Sequence, residues 1–347
     1  MRNKKLVYVV LAVFVISILT LTGCGQNKVA DSKDAATPQK TIKIRMAGQY
    51  PSDHPGTQAM TKLKETVEAK TNGRIQMTLY PANQLGDYTL IYDEIMKGTI
   101  EMALISIPSG HDPKLELTYV PSIAENYDQV RKLYSQGSYI YNTMDQLNNA
   151  LNVKLLGFNV EGFGGLGMTK LPEDPASVTS KKNVLLRVPP MDVFKVWADD
   201  MNYTTVTVPY AELYTALQTG VADGWSGGTP VSNWLGFRDV LKYYIPVNNF
   251  VENTSYVMNL DLWKSLSAED QKIIADTTAE LSTESVDISQ KSDKQYMDEM
   301  KKAGIKVIEL SDADLKTLAD QTRKTSWPKL NNRLGKEIMD GLLKEYK

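Results

Sequence analysis

Ile42-Lys43-Ile44-Arg45-Met46 alternates apolar and basic residues, the period of a strand with one face turned to a core. Ala59, Met60, Leu63 and Val67 then recur at helical spacing, and Asn72-Gly73 closes that helix as a C-cap pair. Ile75, Met77 and Leu79 alternate again, Asp87 to Lys97 reads as a helix stopped by Gly98, and Ile100 to Ser106 reads as a third strand. Strand, helix, strand, helix, strand at this spacing predicts an α/β unit whose parallel sheet is covered by helices.

Outward from that stretch the pattern recurs. After a helical segment from Tyr127 to Leu151 come strands at Val153 to Asn159 and Val184 to Val188, a helix to Met201, a strand at Thr205 to Val208 and a helix from Tyr210 to Thr219. A second α/β unit is predicted. Ser267-Ala268-Glu269-Asp270 has the form of a helix start, and neither Pro nor Gly follows until Gly304. This is either one helix of roughly 50 Å at 1.5 Å per residue, long enough to lie along both units, or two shorter helices broken near Ser282 to Ser285.

The chain begins with Arg2, Lys4 and Lys5, followed by an almost unbroken apolar run from Leu6 to Leu21 that ends in Leu21-Thr22-Gly23-Cys24. A positive start, a short apolar run and small residues after it describe a secretory signal peptide over residues 1–23, and the run is shorter than the ~20 residues a membrane span needs. Leu-Thr-Gly-Cys resembles the bacterial lipobox, which implies cleavage before Cys24 and a lipid on its thiol. Cys24 is the single cysteine of 347 residues, so no disulfide forms within the chain. Residues 24–40 have the composition of a flexible tether.

Removing residues 1–23 leaves 36 basic and 41 acidic residues, a net charge of −5, with no basic stripe for nucleic acid. About 300 residues exceed one ordinary core, so two lobes are expected. Two histidines, His54 and His111, sit in Asp53-His54-Pro55 and His111-Asp112-Pro113, which read as exposed turns. Neither a His-x-x-x-His nor a Cys-x-x-Cys spacing is present, so no metal or cofactor is predicted, and no catalytic constellation is read from the sequence.

Tyr80-Pro-Ala-Asn-Gln-Leu-Gly-Asp87, Leu186-Arg187-Val188-Pro189 and Glu212-Leu-Tyr-Thr-Ala-Leu-Gln-Thr-Gly-Val-Ala-Asp-Gly224 resemble, with their spacing, the substrate-binding proteins of TRAP transporters, the tripartite ATP-independent periplasmic transporters. The resemblance runs from about Thr41 to the C-terminus. It implies a two-lobed, periplasmic-binding-protein-like α/β fold, a long helix bracing both lobes, and a cleft that takes a small organic acid. It also implies a monomer that hands its ligand to small and large membrane subunits at the outer face of the cell membrane, the periplasm where an outer membrane exists. The lobes are expected over residues 41–163 with 253–290 and 164–252 with 291–347. A binding lipoprotein of an ATP-driven importer, with the same plan and signal, is the alternative; an exported enzyme is a more distant one.

By the resemblance Arg187 is the carboxylate-binding arginine, and its chemistry agrees: a guanidinium among Val184, Leu185, Leu186 and Val188 keeps its charge and, if buried, needs an anion that its two-pronged geometry fits. Gln49 matches an amide that reaches the ligand, Ser106 a loop of the cleft, and Tyr210 an aromatic wall. Each lies just past a predicted strand end, where open α/β sheets place their ligands. Read without the resemblance, they are a turn residue, a strand cap and a core aromatic.

Two departures bear on the ligand. Gly162-Phe163-Gly164-Gly165-Leu166-Gly167-Met168-Thr169 carries no second arginine, and Asp223-Gly224-Trp225-Ser226-Gly227-Gly228-Thr229-Pro230 lacks the family's asparagine. A less charged and roomier cleft is expected. There Trp225 either covers part of the ligand or plugs the space behind the loop, and the glycines serve positive φ or close approach.

Overall fold

A computed structural model of the chain describes residues 41–346; Cys24, the signal sequence and the tether lie outside the described residues. The first stretch runs β1 (Ile42–Gly48), α1 (Pro55–Lys70), β2 (Ile75–Tyr80), α2 (Tyr88–Lys97), β3 (Met102–Ile105), a 3-10 turn (Pro113–Tyr119), α3 (Tyr127–Leu133), α4 (Tyr139–Asn149) and β4 (Val153–Phe163). The second runs β5 (Gly165–Met168), β6 (Leu185–Val188), α5 (Asp192–Asp200), β7 (Thr204–Thr207), α6 (Leu213–Thr219), β8 (Gly224–Gly228), α7 (Pro230–Phe237) and β9 (Tyr243–Ile245). Then follow β10 (Val251–Asn259), α8 (Leu260–Ser265), α9 (Ala268–Lys302), β11 (Lys306–Val307), α10 (Asp312–Leu334) and α11 (Lys336–Tyr346).

These strands make two sheets, ordered β2-β1-β3-β10-β4 and β11-β9-β5-β8-β6-β7, the centres of two lobes. The predicted parallel set is present as β1, β2 and β3, and again as β6 with β7 and β8. Neither sheet is purely parallel, however. β10 runs antiparallel to β3 and β4, and β5 runs antiparallel to β8 and β9. The chain leaves the first sheet at Phe163, enters the second at Gly165 and returns between Ile245 and Val251, so the strands that connect the lobes add to their sheets in the opposite sense.

α9 is a single helix of 35 residues, capped by the Ser267 side chain accepting from the Asp270 N–H, and it packs against β4 and α1 of one lobe and α7 and β11 of the other. The serines that suggested a break are turned to another use. Thr278, Ser282, Ser289 and Ser292 donate to carbonyls four residues earlier in the helix, which satisfies their hydroxyls without interrupting it. Their small size lets the helix lie directly on β4: Ser285 Oγ accepts from the Val160 N–H at 2.9 Å, and a Cβ on Gly157 would stand 2.4 Å from Ser282 Oγ.

The predicted helical segment 127–151 is two helices, because Gly137 turns through φ 80° and Ser138 caps α4. Residues 224–228, read above as a loop, form β8, a strand inside the second sheet. Among the described residues no helix is long and apolar enough to cross a membrane.

Candidate functional site

The carboxyl ends of β1, β3 and β6 point to one place. Gln49 follows β1, Ser106 follows β3, Arg187 lies on β6, Trp225 sits beside it on β8, and Tyr210 opens the turn after β7. All five line one cavity of about 40 Å³, with Tyr50, Tyr88, Tyr119, Phe194 and Glu252 among the other walls. Residues up to 203 positions apart in sequence, Gln49 and Glu252, thus meet at the cleft between the sheets.

Arg187 is only 2% exposed. Its Nε donates to the Val208 carbonyl at 2.8 Å, which fixes the guanidinium plane, while Nη2 has no acceptor in the protein. Burial pulls this arginine down to about 10, against the opposing pull of Tyr88, Tyr210, Asp87 and Glu252, and it stays charged at neutral pH. A buried, charged donor aimed at a cavity is a site for an anion.

Gln49 and Ser106 brace one another: the Ser106 N–H donates to Gln49 Oε1 at 2.9 Å, and Gln49 Nε2 donates to Ser106 Oγ at 3.3 Å. That pairing locks the ends of β1 and β3 together and leaves Gln49 a second amide N–H to donate. Tyr210 meets Tyr50 edge-on at 5.7 Å, an aromatic contact across the cleft. Trp225 does two jobs, lining the cavity and packing on Phe237 at 4.9 Å, while its Nε1 donates to Asn233 Oδ1 at 3.0 Å.

Several residues of the site escaped the sequence reading. Glu252, 8% exposed on β10, faces the cavity with Oε1 unpartnered; burial pushes its carboxyl well above the usual range, the nearby Glu161 adds to this and Arg187 opposes it. Glu161 on β4, raised to about 7 by burial, accepts from Tyr50 Oη at 2.6 Å and Thr254 Oγ1 at 3.0 Å. Tyr88 presents an unpartnered hydroxyl. The cavity wall thus carries one arginine and one buried acid among its polar groups.

His54 is not in an exposed turn. It is 1% exposed, stacks on Tyr50 at 4.0 Å, and its Nδ1 accepts from the Gly56 N–H, capping α1. That bond leaves the proton on Nε2, 3.3 Å from Ser232 Oγ in the other lobe, and burial lowers the imidazole to about 3. The residue reads as exposed in sequence context but lies under Tyr50 of its own lobe and against Ser232 of the other. His111 is half exposed and pairs with Asp93 at 2.6 Å. Among the described residues no cluster of three His, Cys, Asp or Glu could hold a metal.

A larger cavity, about 240 Å³, lies along α1 and α9, but its rim charges Lys62 and Glu284 pair with each other at 2.7 Å. Chemistry favours the smaller cavity, where Arg187 Nη2 and Glu252 Oε1 keep no partner.

The profile of the DctP family, bacterial extracellular solute-binding protein family 7, matches residues 46–330. The chain belongs to this family. The DctP-family protein described here is therefore a solute-binding receptor that works outside the cytoplasm, not an enzyme. It is 29% identical over 301 residues to an uncharacterised protein of Haemophilus influenzae, covering 85% of this chain and 89% of that one. It is 25% identical over 261 residues to the sialic acid-binding periplasmic protein SiaP of Vibrio cholerae, covering 75% and 77%. A TRAP periplasmic solute-binding protein of Haemophilus influenzae with bound L-gulonate superimposes with a TM-score of 0.78 at 25% identity, covering 88% of this DctP-family chain and all of the other.

Proposed function

We propose that this receptor captures a small organic acid in its inter-lobe cleft, pairs the acid's carboxylate with Arg187, and delivers it to the small and large membrane subunits of a TRAP transporter for uptake driven by an ion gradient. The observation that carries the reading is Arg187 itself: buried, charged, held by Val208 and left with Nη2 unpartnered at the cavity. Gln49, Ser106, Tyr210 and Trp225 complete the walls. That one related receptor is named for sialic acid and another holds L-gulonate, both carboxylic acids, supports the same chemistry.

A cavity of about 40 Å³ holds a few waters but not a six-carbon acid. Entry of such a ligand requires the two lobes, one around each sheet, to part by a hinge at the connections near Phe163 and just before Val251, where β10 joins the first sheet. Contacts such as Tyr50 with Tyr210 and His54 with Ser232 then reform on closure. The protein acts as a monomer.

A thermal-shift screen of the purified protein against a panel of carboxylic acids and their amides tests this. An acid that binds the folded state alone raises stability by about 2.7 kcal/mol at a hundred times its Kd, and its amide should not. Stabilisation by neutral sugars with none by acids would sink the proposal.

The protein is held at the membrane by a lipid on Cys24. Cys24→Ser should therefore leave export intact and move the protein from the membrane to the soluble fraction, since one lipidated residue is the anchor. A Ser variant that stays with membranes through a high-salt wash rejects the anchor.

A further inference from the structure

The charges of the cleft do not match a simple anion. Arg187 is the basic and Glu252 the acidic side chain lining the cavity, and they come from different lobes: Arg187 from the second sheet, Glu252 from β10 of the first. Each is nine-tenths or more buried, and each keeps an unpartnered polar atom, Nη2 on one and Oε1 on the other. They attract one another yet form no ion pair. A protein that needed them for stability would bring them into contact, because an unpaired buried charge costs several kcal/mol. Here a gap separates an unpaired donor from an unpaired acceptor.

We infer that the ligand is amphoteric, carrying one carboxylate for Arg187 and one protonated nitrogen for Glu252, with a net charge near zero. Such a molecule satisfies both orphaned atoms and bridges the two lobes, so the same contacts that bind it hold the cleft closed. Glu161 strengthens the preference. It lies behind Tyr50 and raises the Glu252 carboxyl further, so a cation beside Glu252 relieves what a second anion there would worsen. A second carboxylate on the ligand would face both acids. Burial favours the neutral form of Glu252 in the empty cleft; a ligand ammonium brings the opposite charge that lets it ionise and accept a charge-assisted hydrogen bond, which a hydroxyl does not. Trp225, Tyr210 and Phe194 provide the aromatic faces beside which a cationic nitrogen is well placed.

This inference rests on the organic-acid reading and narrows it. The test uses the purified full-length protein in mild detergent, with calorimetric titration of matched sets: alanine, lactate and propionate; 4-aminobutanoate, 4-hydroxybutanoate and succinate; proline and tetrahydrofuran-2-carboxylate. In at least one set the amino member should bind about tenfold or more tighter than its oxygen counterpart. Glu252→Gln should abolish that preference and leave the weaker acids unchanged or slightly tighter. Acids that bind in an Arg187-dependent manner with no amino preference, or with a preference that survives Glu252→Gln, overturn the inference and leave the proposed function standing. Tight binding of a hydroxy acid only in the presence of sodium or calcium would place a metal ion opposite Glu252 and overturn it likewise. No binding by any member removes the organic-acid reading and this one together. The free Glu252→Gln protein should melt at or above the wild-type temperature, which separates a binding defect from misfolding.

Discussion

Arg187→Ala should weaken acid binding by roughly 2–5 kcal/mol, the usual loss when one partner of a buried, hydrogen-bonded charge pair is removed, or about 30-fold to several thousand-fold in Kd. The free protein should respond the other way. Arg187 is buried with one bond to Val208 and an unpartnered Nη2, so its burial cost is not repaid until an anion arrives. Arg187→Met, which fills similar volume without charge, should unfold at the same or higher denaturant concentration than wild type while binding no acid. Arg187→Lys should recover only part of the affinity, because a point charge lacks the planar fork. Methyl esters of the ligand should bind poorly to wild type and lose little more in the Ala variant. Calorimetry for binding and urea unfolding for stability separate the two effects; an Ala variant that binds the acid as wild type does makes Arg187 a structural arginine.

The parts of this site that were legible in the sequence share one property: they sit at the ends of strands that announce themselves. β1 and β3 alternate or run apolar, β6 reads Leu-Leu-Arg-Val, and the residues just past or within them are Gln49, Ser106 and Arg187. Glu252 was illegible for the opposite reason. β10 reads Val-Glu-Asn-Thr-Ser-Tyr-Val-Met-Asn, polar in its first half, yet every residue of it is buried. The strand is central, flanked by β3 and β4 with elements on both faces, so period-two alternation has no solvent face to report. Two of its polar side chains are instead satisfied inside: Thr254 donates to Glu161, and Asn253 to the carbonyl of Val251. The same holds for His54, whose Asp-His-Pro context marks a turn but whose burial comes from Tyr50 and from Ser232 in the other lobe. Contacts made across the cleft leave no trace in local sequence. The undivided α9 was ambiguous because serine and threonine disfavour a helix only until something, here β4, rewards their small size.

The glycines of β5 and β8 lead to the second large effect. Gly167 on β5 lies opposite Trp225 in the β5–β8 ladder, and a Cβ built there would stand 2.0 Å from Asn233 Oδ1 and 2.6 Å from Trp225 Nε1. Those two atoms form the bond that holds the indole in place, 3.0 Å long and buried. Gly167→Ala must therefore break that bond or shift the sheet. Overpacking a core costs about 1–3 kcal/mol and a lost buried hydrogen bond about 1 more, so a loss of about 3 kcal/mol is expected by urea unfolding. Gly236 in α7 is the control: nothing lies within 4 Å of its Cβ position, and Gly236→Ala should be neutral or slightly stabilising through helix propensity. Because Trp225 is the register neighbour of Arg187 on β6 and walls the same cavity, the displaced indole should also reduce affinity for the acid. The two effects share one cause, and a double-mutant cycle tests it. Trp225→Phe removes Nε1 and should cost less in the Gly167→Ala background than in wild type, since the bond it would break is already gone. Equal costs in the two backgrounds would show that the glycine serves the backbone alone and that the indole is held by its contact with Phe237.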